Sequence, residues 1–168
     1  MLVALQVVSV FLVAVAMALA LAHALELPGK LRLDRDRYCE LQLIYYPGFT
    51  YGGFGEVLAL FATLALLLTT RNDAAFPWTL AGFIAVLAMH AVYWTVTHPV
   101  NRFWLKDQDL AGFGKGFFGA GPTRDQREQA SSDQAWRHLR DRWEYSHVVR
   151  AILSILALIA LLIAVAIS

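Results

Sequence analysis

The chain has 168 residues, of which 58% are hydrophobic and 16% are charged, and its formal net charge at pH 7 is +1. Soluble domains average about 45–50% apolar and about 25% charged residues, so this composition excludes a disordered tail or a charged soluble enzyme and indicates a membrane protein. The near-zero net charge gives no basic field for nucleic acid, and the single cysteine, Cys39, excludes an internal disulfide.

Four apolar stretches are long enough to cross a hydrocarbon layer of about 30 Å as helices, which takes about 20 residues. We expect these spans at about 2–25, 52–70, 76–97 and 146–167. The second stretch is the weakest, because it reaches spanning length only when it includes Glu56. The first is expected to be a span rather than a cleaved signal, since it is long and no basic segment precedes it.

Lysine and arginine concentrate in two of the three connections. The connection at about 26–51 holds four of them and the connection at about 98–145 holds eight, whereas the short second connection holds only Arg71. The positive-inside rule therefore predicts that the first and third connections are cytoplasmic and that both termini lie outside. We predict a multi-pass protein of a bacterial inner membrane, folded as an all-α antiparallel four-helix bundle.

The last span is preceded by a stripe of large polar and aromatic residues. They recur at steps of four and three: Trp136, Arg140, Trp143, His147 and Arg150. This spacing predicts an interfacial amphipathic helix that runs into the span.

Ionisable residues gather at the predicted cytoplasmic end of the spans, where such costly groups usually mark function. His23 and Glu26 are three residues apart and share a helix face, as do Glu144 and His147. The candidate group comprises His23, Glu26, Glu56, His90, His98, Asn101, Glu144, His147 and Arg150.

Three kinds of chemistry are open to such a cluster. A metal site would use His23, Glu26, Glu56 and His147, in an arrangement similar to bundle di-iron sites, with iron or copper as the metal. Two histidines could instead ligate a haem, which is the less favoured cofactor. In the third alternative the histidines and glutamates move protons for a quinol-like substrate without a metal.

Two glycine-rich segments are expected to be irregular. Residues 45–55 mix aromatic residues with helix breakers and are predicted to lead irregularly into the second span. Residues 112–122 contain a G-x-G-x-x-G pattern, but no strand precedes it, so we interpret the segment as a mobile connection or a lid.

Two stretches resemble the anthrone oxygenase-like family of small four-span integral membrane proteins, many of which have no assigned function. Pro99 and Asn101 match a Pro-x-Asn element that follows the third span in that family. Trp143 and Arg150 belong to a Trp-rich segment that is similar to the one that opens the fourth span. The resemblance implies an oxygenase or oxidoreductase that oxidises a lipophilic aromatic or quinol-like substrate with dioxygen.

The resemblance also implies roles for individual residues. His147 or His23 would remove an acidic ring or phenolic proton, and Arg150 and Asn101 would stabilise the resulting oxyanion. The further buried polar residues expected around them are His90, His98, Glu144 and Trp143.

A non-catalytic role is the alternative function. The chain would then be an accessory or assembly subunit of a larger membrane complex, docked through the helix around 124–142, or it would form a homo-oligomer. The lipid bilayer is the expected partner in either case, and nucleic acid is not.

Overall fold

A computed structural model describes residues 1–45, 48–104 and 133–168, and all regular structure in these ranges is helical. The elements are α1 (Leu2–Lys30), α2 (Arg35–Gln42), a 3-10 turn (Leu43–Tyr45), α3 (Gly48–Thr69), α4 (Phe76–Val92), a π-helical turn (Tyr93–Thr97), α5 (His98–Trp104) and α6 (Asp133–Ala166). Within these ranges, four helical stretches are long and apolar enough to cross a membrane: α1, α3, α6 and the continuous stretch Phe76–Asn101.

The four long helices pack as a closed bundle, which confirms the predicted all-α fold. Neighbouring pairs are α1 with α3, α3 with α4, α4 with α6, and α6 with α1. The amphipathic segment from Asp133 onward is continuous with the last span, because α6 runs unbroken to Ala166. The part of the predicted interfacial helix before residue 133 lies outside the described residues, as does the glycine-rich segment at 112–122.

Small residues set the spacing of the helices in the middle of the bundle. The buried core there consists of Val13, Ala59, Leu66, Val86, Ala157 and Leu161. A Cβ atom added to Gly82 of α4 would lie 2.9 Å from Cδ2 of Leu161 on α6. Glycine and alanine therefore let these two helices approach closely, as is usual between helices in lipid.

The start of α3 differs from the sequence expectation. Residues 48–55 are helical, so the predicted irregular segment was wrong over this range, whereas Tyr46 and Pro47 lie outside the described residues. Backbone N–H and C=O groups near lipid need internal partners, and a helix supplies them even in a glycine-rich sequence. The missing side chain at Gly52 also leaves room for Leu19 of α1.

The polar end of the bundle is built from helix extensions and short helices. α1 continues through Pro28 to Lys30, beyond the apolar stretch, and α2 begins where the Asp34 side chain accepts a hydrogen bond from the Arg37 backbone N–H at 3.0 Å. In the π-helical turn after α4, the His98 backbone N–H bonds to the Tyr93 carbonyl oxygen. Such turns often occur at functional sites, and this one places Tyr93 beside α6.

Candidate functional site

A partly open cavity of about 100 Å³ lies among the long helices where the polar residues gather. Its polar and aromatic lining consists of His23, Tyr45, Phe49, Thr50, Glu56, His90, Tyr93, Trp94, Thr97, Asn101, Trp143, His147 and Arg150. The four residues predicted to be catalytic, which are His23, Asn101, His147 and Arg150, all line this cavity. Residues from all four spans and from the π-helical region therefore meet at one place.

Two histidines from opposite ends of the sequence form the centre of the lining. The ring centroids of His23 on α1 and His147 on α6 are 4.2 Å apart, and only 4% and 5% of these residues are exposed. The Trp143 ring lies against both, with centroid distances of 5.0 Å and 4.3 Å. The imidazoles are therefore held between aromatic walls rather than in water.

Arg150 links His147 to a carboxylate on the neighbouring span. Its Nη2 donates to Glu56 Oε2 at 2.5 Å, and its Nη1 lies 3.2 Å from His147 Nδ1. The other Glu56 oxygen is 3.2 Å from His90 Nδ1. Trp94 Nε1 donates a hydrogen bond to His90 Nε2 at 2.9 Å, so this nitrogen is the acceptor and the ring proton lies on Nδ1. The Nδ1–H group then donates a hydrogen bond to Glu56.

Lys30 contacts His23 in the same way as Arg150 contacts His147. Its Nζ lies 3.2 Å from His23 Nδ1, 3.0 Å from Glu26 Oε2 and 3.4 Å from Glu144 Oε1. Lys30 is 2% exposed and Glu144 is fully buried. The Tyr38 hydroxyl donates a hydrogen bond to Glu144 Oε1 at 2.8 Å. A lysine buried this deeply needs such partners, since an unpaired charge there would be costly.

Two tyrosines from the first connection close this network. Tyr45 donates to Glu26 Oε2 at 2.5 Å, and Lys30 Nζ lies 4.8 Å from the centre of the Tyr45 ring. Burial, followed by the nearby carboxylates, raises the pKa values of Tyr38 and Tyr45 well above their usual range. Both hydroxyls therefore remain protonated and act as donors.

The remaining predicted residues differ in their burial. Trp143 Nε1 donates to Asn101 Oδ1 at 2.7 Å, and both residues are buried. His90 and His98 are only half-buried, which corrects the expectation that both are buried. The reason is their position beside Trp94, whose ring faces the outside of the bundle and is 50% exposed.

The predicted metal ligands do not fit a metal centre. Across the described ranges, no group of three or more His, Cys, Asp or Glu side chains is arranged to hold a metal ion. Glu26 is paired with Lys30 and Glu56 with Arg150, so a divalent cation would face these two positive charges. The arrangement favours carboxylates that neutralise cations over carboxylates that ligate metal.

Sequence reasoning missed Lys30, Tyr38 and Tyr45. Lys30 lies seven residues after His23 and four after Glu26, a spacing that puts all three on one helix face. That signal was hidden because Pro28 and Gly29 indicate a helix end before Lys30. The tyrosines carried no signal, since only the folding of the first connection against α6 and α1 brings Tyr38 to Glu144 and Tyr45 to Glu26.

Comparison with known proteins agrees with the resemblance in the Pro99–Asn101 and Trp143–Arg150 stretches. The sequence profile described as anthrone oxygenase matches residues 42–160, which is most of the chain. No match was found among curated proteins, and none among solved structures. The chain is a multi-pass membrane protein that belongs to the anthrone oxygenase family.

Proposed function

We propose that this protein is a membrane-embedded oxygenase that uses dioxygen to oxidise a lipophilic aromatic substrate of the anthrone or quinol class. The observation that carries the proposal is the cavity, where His23, His147 and Arg150 are buried behind aromatic walls within an apolar bundle. Concave, largely apolar sites with a few buried polar groups are the usual form of small-molecule sites. Membership of the family supports the choice of reaction.

The volume and the lining of the cavity bear on how an aromatic molecule would enter it from lipid. The space of about 100 Å³ is smaller than a dry cavity of about 150 Å³ that binds benzene in another protein, so it would hold no more than one ring of a larger substrate. Trp94 both lines the cavity and is half exposed on the outside of the bundle. The other rings would extend past Trp94 toward the bilayer.

For an anthrone the reaction balances with one dioxygen and no further reductant, whereas a quinol would transfer two hydrogens to dioxygen and give a quinone and hydrogen peroxide. Oxidation of the CH₂ carbon of an anthrone by O₂ gives a carbonyl group and one water. Loss of a proton from that carbon creates an electron-rich enolate, which combines with O₂ to give a peroxide anion. Return of the proton gives a hydroperoxide, and loss of water from the hydroperoxide forms the carbonyl.

The cluster would supply a proton acceptor and donors to the developing anion. Among the described residues that line the cavity, Glu56 is the one carboxylate, and it would be the proton acceptor. The expectation that His147 or His23 is the base stays a prediction. Arg150 and Asn101 would stabilise the oxyanion.

Turnover of anthrone by the purified full chain tests this proposal. We expect oxygen uptake and anthraquinone formation in mild detergent above the spontaneous rate, with a loss of about 100-fold in Arg150→Met, because one oxyanion donor is worth about that much. Arg71→Gln, an exposed change in the second connection, is the matched control and should keep wild-type turnover.

Four outcomes would contradict the proposal or change it. A wild-type rate equal to the spontaneous rate, or an Arg150→Met rate equal to wild type, would contradict an oxygenase site. An inactive chain that co-purifies with a larger membrane complex would favour the accessory role. Stoichiometric iron or copper whose removal abolishes turnover would restore the metal version with His23, Glu26, Glu56 and His147.

A further inference from the structure

The two central histidines share an unusual pattern of contacts. Each has its Nδ1 atom 3.2 Å from a cationic nitrogen, which is Lys30 Nζ for His23 and Arg150 Nη1 for His147. Ammonium and guanidinium groups can only donate hydrogen bonds, so both Nδ1 atoms must accept. A neutral imidazole whose Nδ1 accepts carries its proton on Nε2. Both rings are therefore Nε2–H donors.

The neighbouring charges reinforce this state. The closest carboxylate oxygen to His23 Nδ1 is Glu26 Oε2 at 3.9 Å, which is too far for a hydrogen bond. Arg150 lies between His147 and Glu56, and its positive charge neutralises the Glu56 carboxylate. A cation beside each neutral ring opposes protonation of that ring, because protonation would place a second positive charge next to the first. The two imidazoles are thus poor proton acceptors.

Several buried polar atoms in the cavity lining lack a partner. His147 Nε2, Arg150 Nε and Thr50 Oγ1 have no hydrogen-bond partner among the described residues, and the three residues are 5%, 8% and 1% exposed. Buried donors are rarely left unpaired in folded proteins unless a ligand or water completes them. All three can donate, so the group that is missing is an acceptor.

We propose, on the basis of the proposed function, that His23 and His147 bind the oxygen of an aromatic phenolate or enolate through their Nε2–H groups instead of removing its proton. Arg150 Nε and Thr50 Oγ1 provide additional donors in the same lining. Lys30 is a positioning residue, because it holds His23 in the donor form. Preorganised donors of this kind stabilise an anion without having to reorient.

Ionisation of a bound phenol tests this inference without turnover. The probe is 2-hydroxyanthraquinone, whose visible absorption changes when its hydroxyl ionises. We expect the apparent pKa of the probe on the full chain to be at least one unit lower than in empty detergent micelles, a tenfold change in its ionisation constant. A probe pKa that is unchanged or raised on the wild-type chain would overturn the inference.

Two substitutions at His147 separate a donor from a base. In His147→Gln the amide nitrogen lies about where Nε2 was and can donate, but it cannot take a proton. We expect His147→Gln to keep at least half of the pKa shift of the probe and His147→Phe to lose most of it. If His147 is the base, both substitutions abolish the shift, and this result contradicts the donor role.

A matched ligand controls for damage to the cavity. The methyl ether 2-methoxyanthraquinone cannot ionise and should bind equally well to wild type and both variants. If His147→Phe does not fold, the wild-type shift and its retention in His147→Gln still decide the question. A retained shift without turnover contradicts only the proposed function, and turnover without a shift contradicts only this inference.

Discussion

Two buried cations organise the polar end of the bundle. Lys30 pairs with Glu26 and Glu144 and contacts His23, while Arg150 pairs with Glu56 and contacts His147. Each cation also faces an aromatic ring, with Lys30 Nζ 5.2 Å from the Trp143 ring and the Arg150 guanidinium 5.2 Å from the Tyr93 ring. Such contacts partly replace the lost water. Removal of one member should therefore leave another charge buried without its partner.

The Lys30→Met substitution should destabilise the protein strongly. Among the described residues, it leaves the fully buried Glu144 with the Tyr38 hydroxyl as its one hydrogen-bond partner, and breaking a buried ion pair in this way costs about 3–5 kcal/mol. Unfolding by titration with a denaturing detergent measures the effect. The double variant Lys30→Met/Glu144→Gln should recover at least half of the loss, because the unpaired charge is then gone. If the double variant is less stable than Lys30→Met, the pairing is not what Lys30 contributes.

Helix contacts position these residues through small side chains and one irregular turn. Gly52 lets α1 and α3 approach beside His23 and Glu56, and Gly82 lets α4 approach α6 below the cavity. The π-helical turn after α4 brings Thr97 to Ser146 of α6, with 2.8 Å between the two hydroxyl oxygens. Among the described residues, the cavity is therefore framed mainly by close helix contacts, with Tyr45 contributed by the first connection.

The Gly82→Val substitution should weaken the contact between α4 and α6. The added branched side chain would meet Leu161 and the Ala157 carbonyl, and overpacking of this kind costs about 1–3 kcal/mol. Thermal unfolding in detergent should show a lower midpoint. Gly29→Ala is the matched control, because nothing lies within 4 Å of its added Cβ and alanine favours a helix. Equal midpoints for Gly82→Val and the control would show that this contact tolerates a larger residue.

The charge distribution of the chain points to one orientation in the membrane. Nearly all lysines and arginines lie in the first and third connections, and these flank the end of the bundle that holds the cavity. The positive-inside rule then predicts a cytoplasmic cavity and termini on the opposite side. A substrate would reach such a cavity from the inner leaflet.

Single-cysteine labelling in intact bacterial cells tests this orientation. In a Cys39→Ser background, Asn72→Cys lies between α3 and α4 and Asp36→Cys lies in α2, and both positions are exposed. We expect a membrane-impermeant maleimide to label Asn72→Cys and to spare Asp36→Cys until the cells are opened. The reverse pattern would place the cavity on the outer side.

The number of spans and the residue types of the site were readable from the amino-acid sequence. Apolar stretches of spanning length are set by hydropathy alone, and polar residues within them are costly enough to stand out. His23, Asn101, His147 and Arg150 were therefore identified as one group before any contact was known. The helical start of α3 was not predicted from the sequence, because its glycine and aromatic residues indicate a loop. A helix is expected there only when the need for internal backbone hydrogen bonds near lipid is considered.

The pairing of these residues followed only from the packed bundle. Lys30 reaches Glu144 across 114 positions of the chain, and Arg150 reaches Glu56 across 94, so no local pattern encodes either contact. Because of these partners, Glu26 and Glu56, which are candidate metal ligands by sequence, act as counter-ions to Lys30 and Arg150. The same two cations occupy the Nδ1 atoms of the central histidines. The sequence determines which charged residues must be placed in the membrane. The packing of the helices determines which cation pairs with which carboxylate, because the energy of an ion pair depends on the separation and burial of its charges.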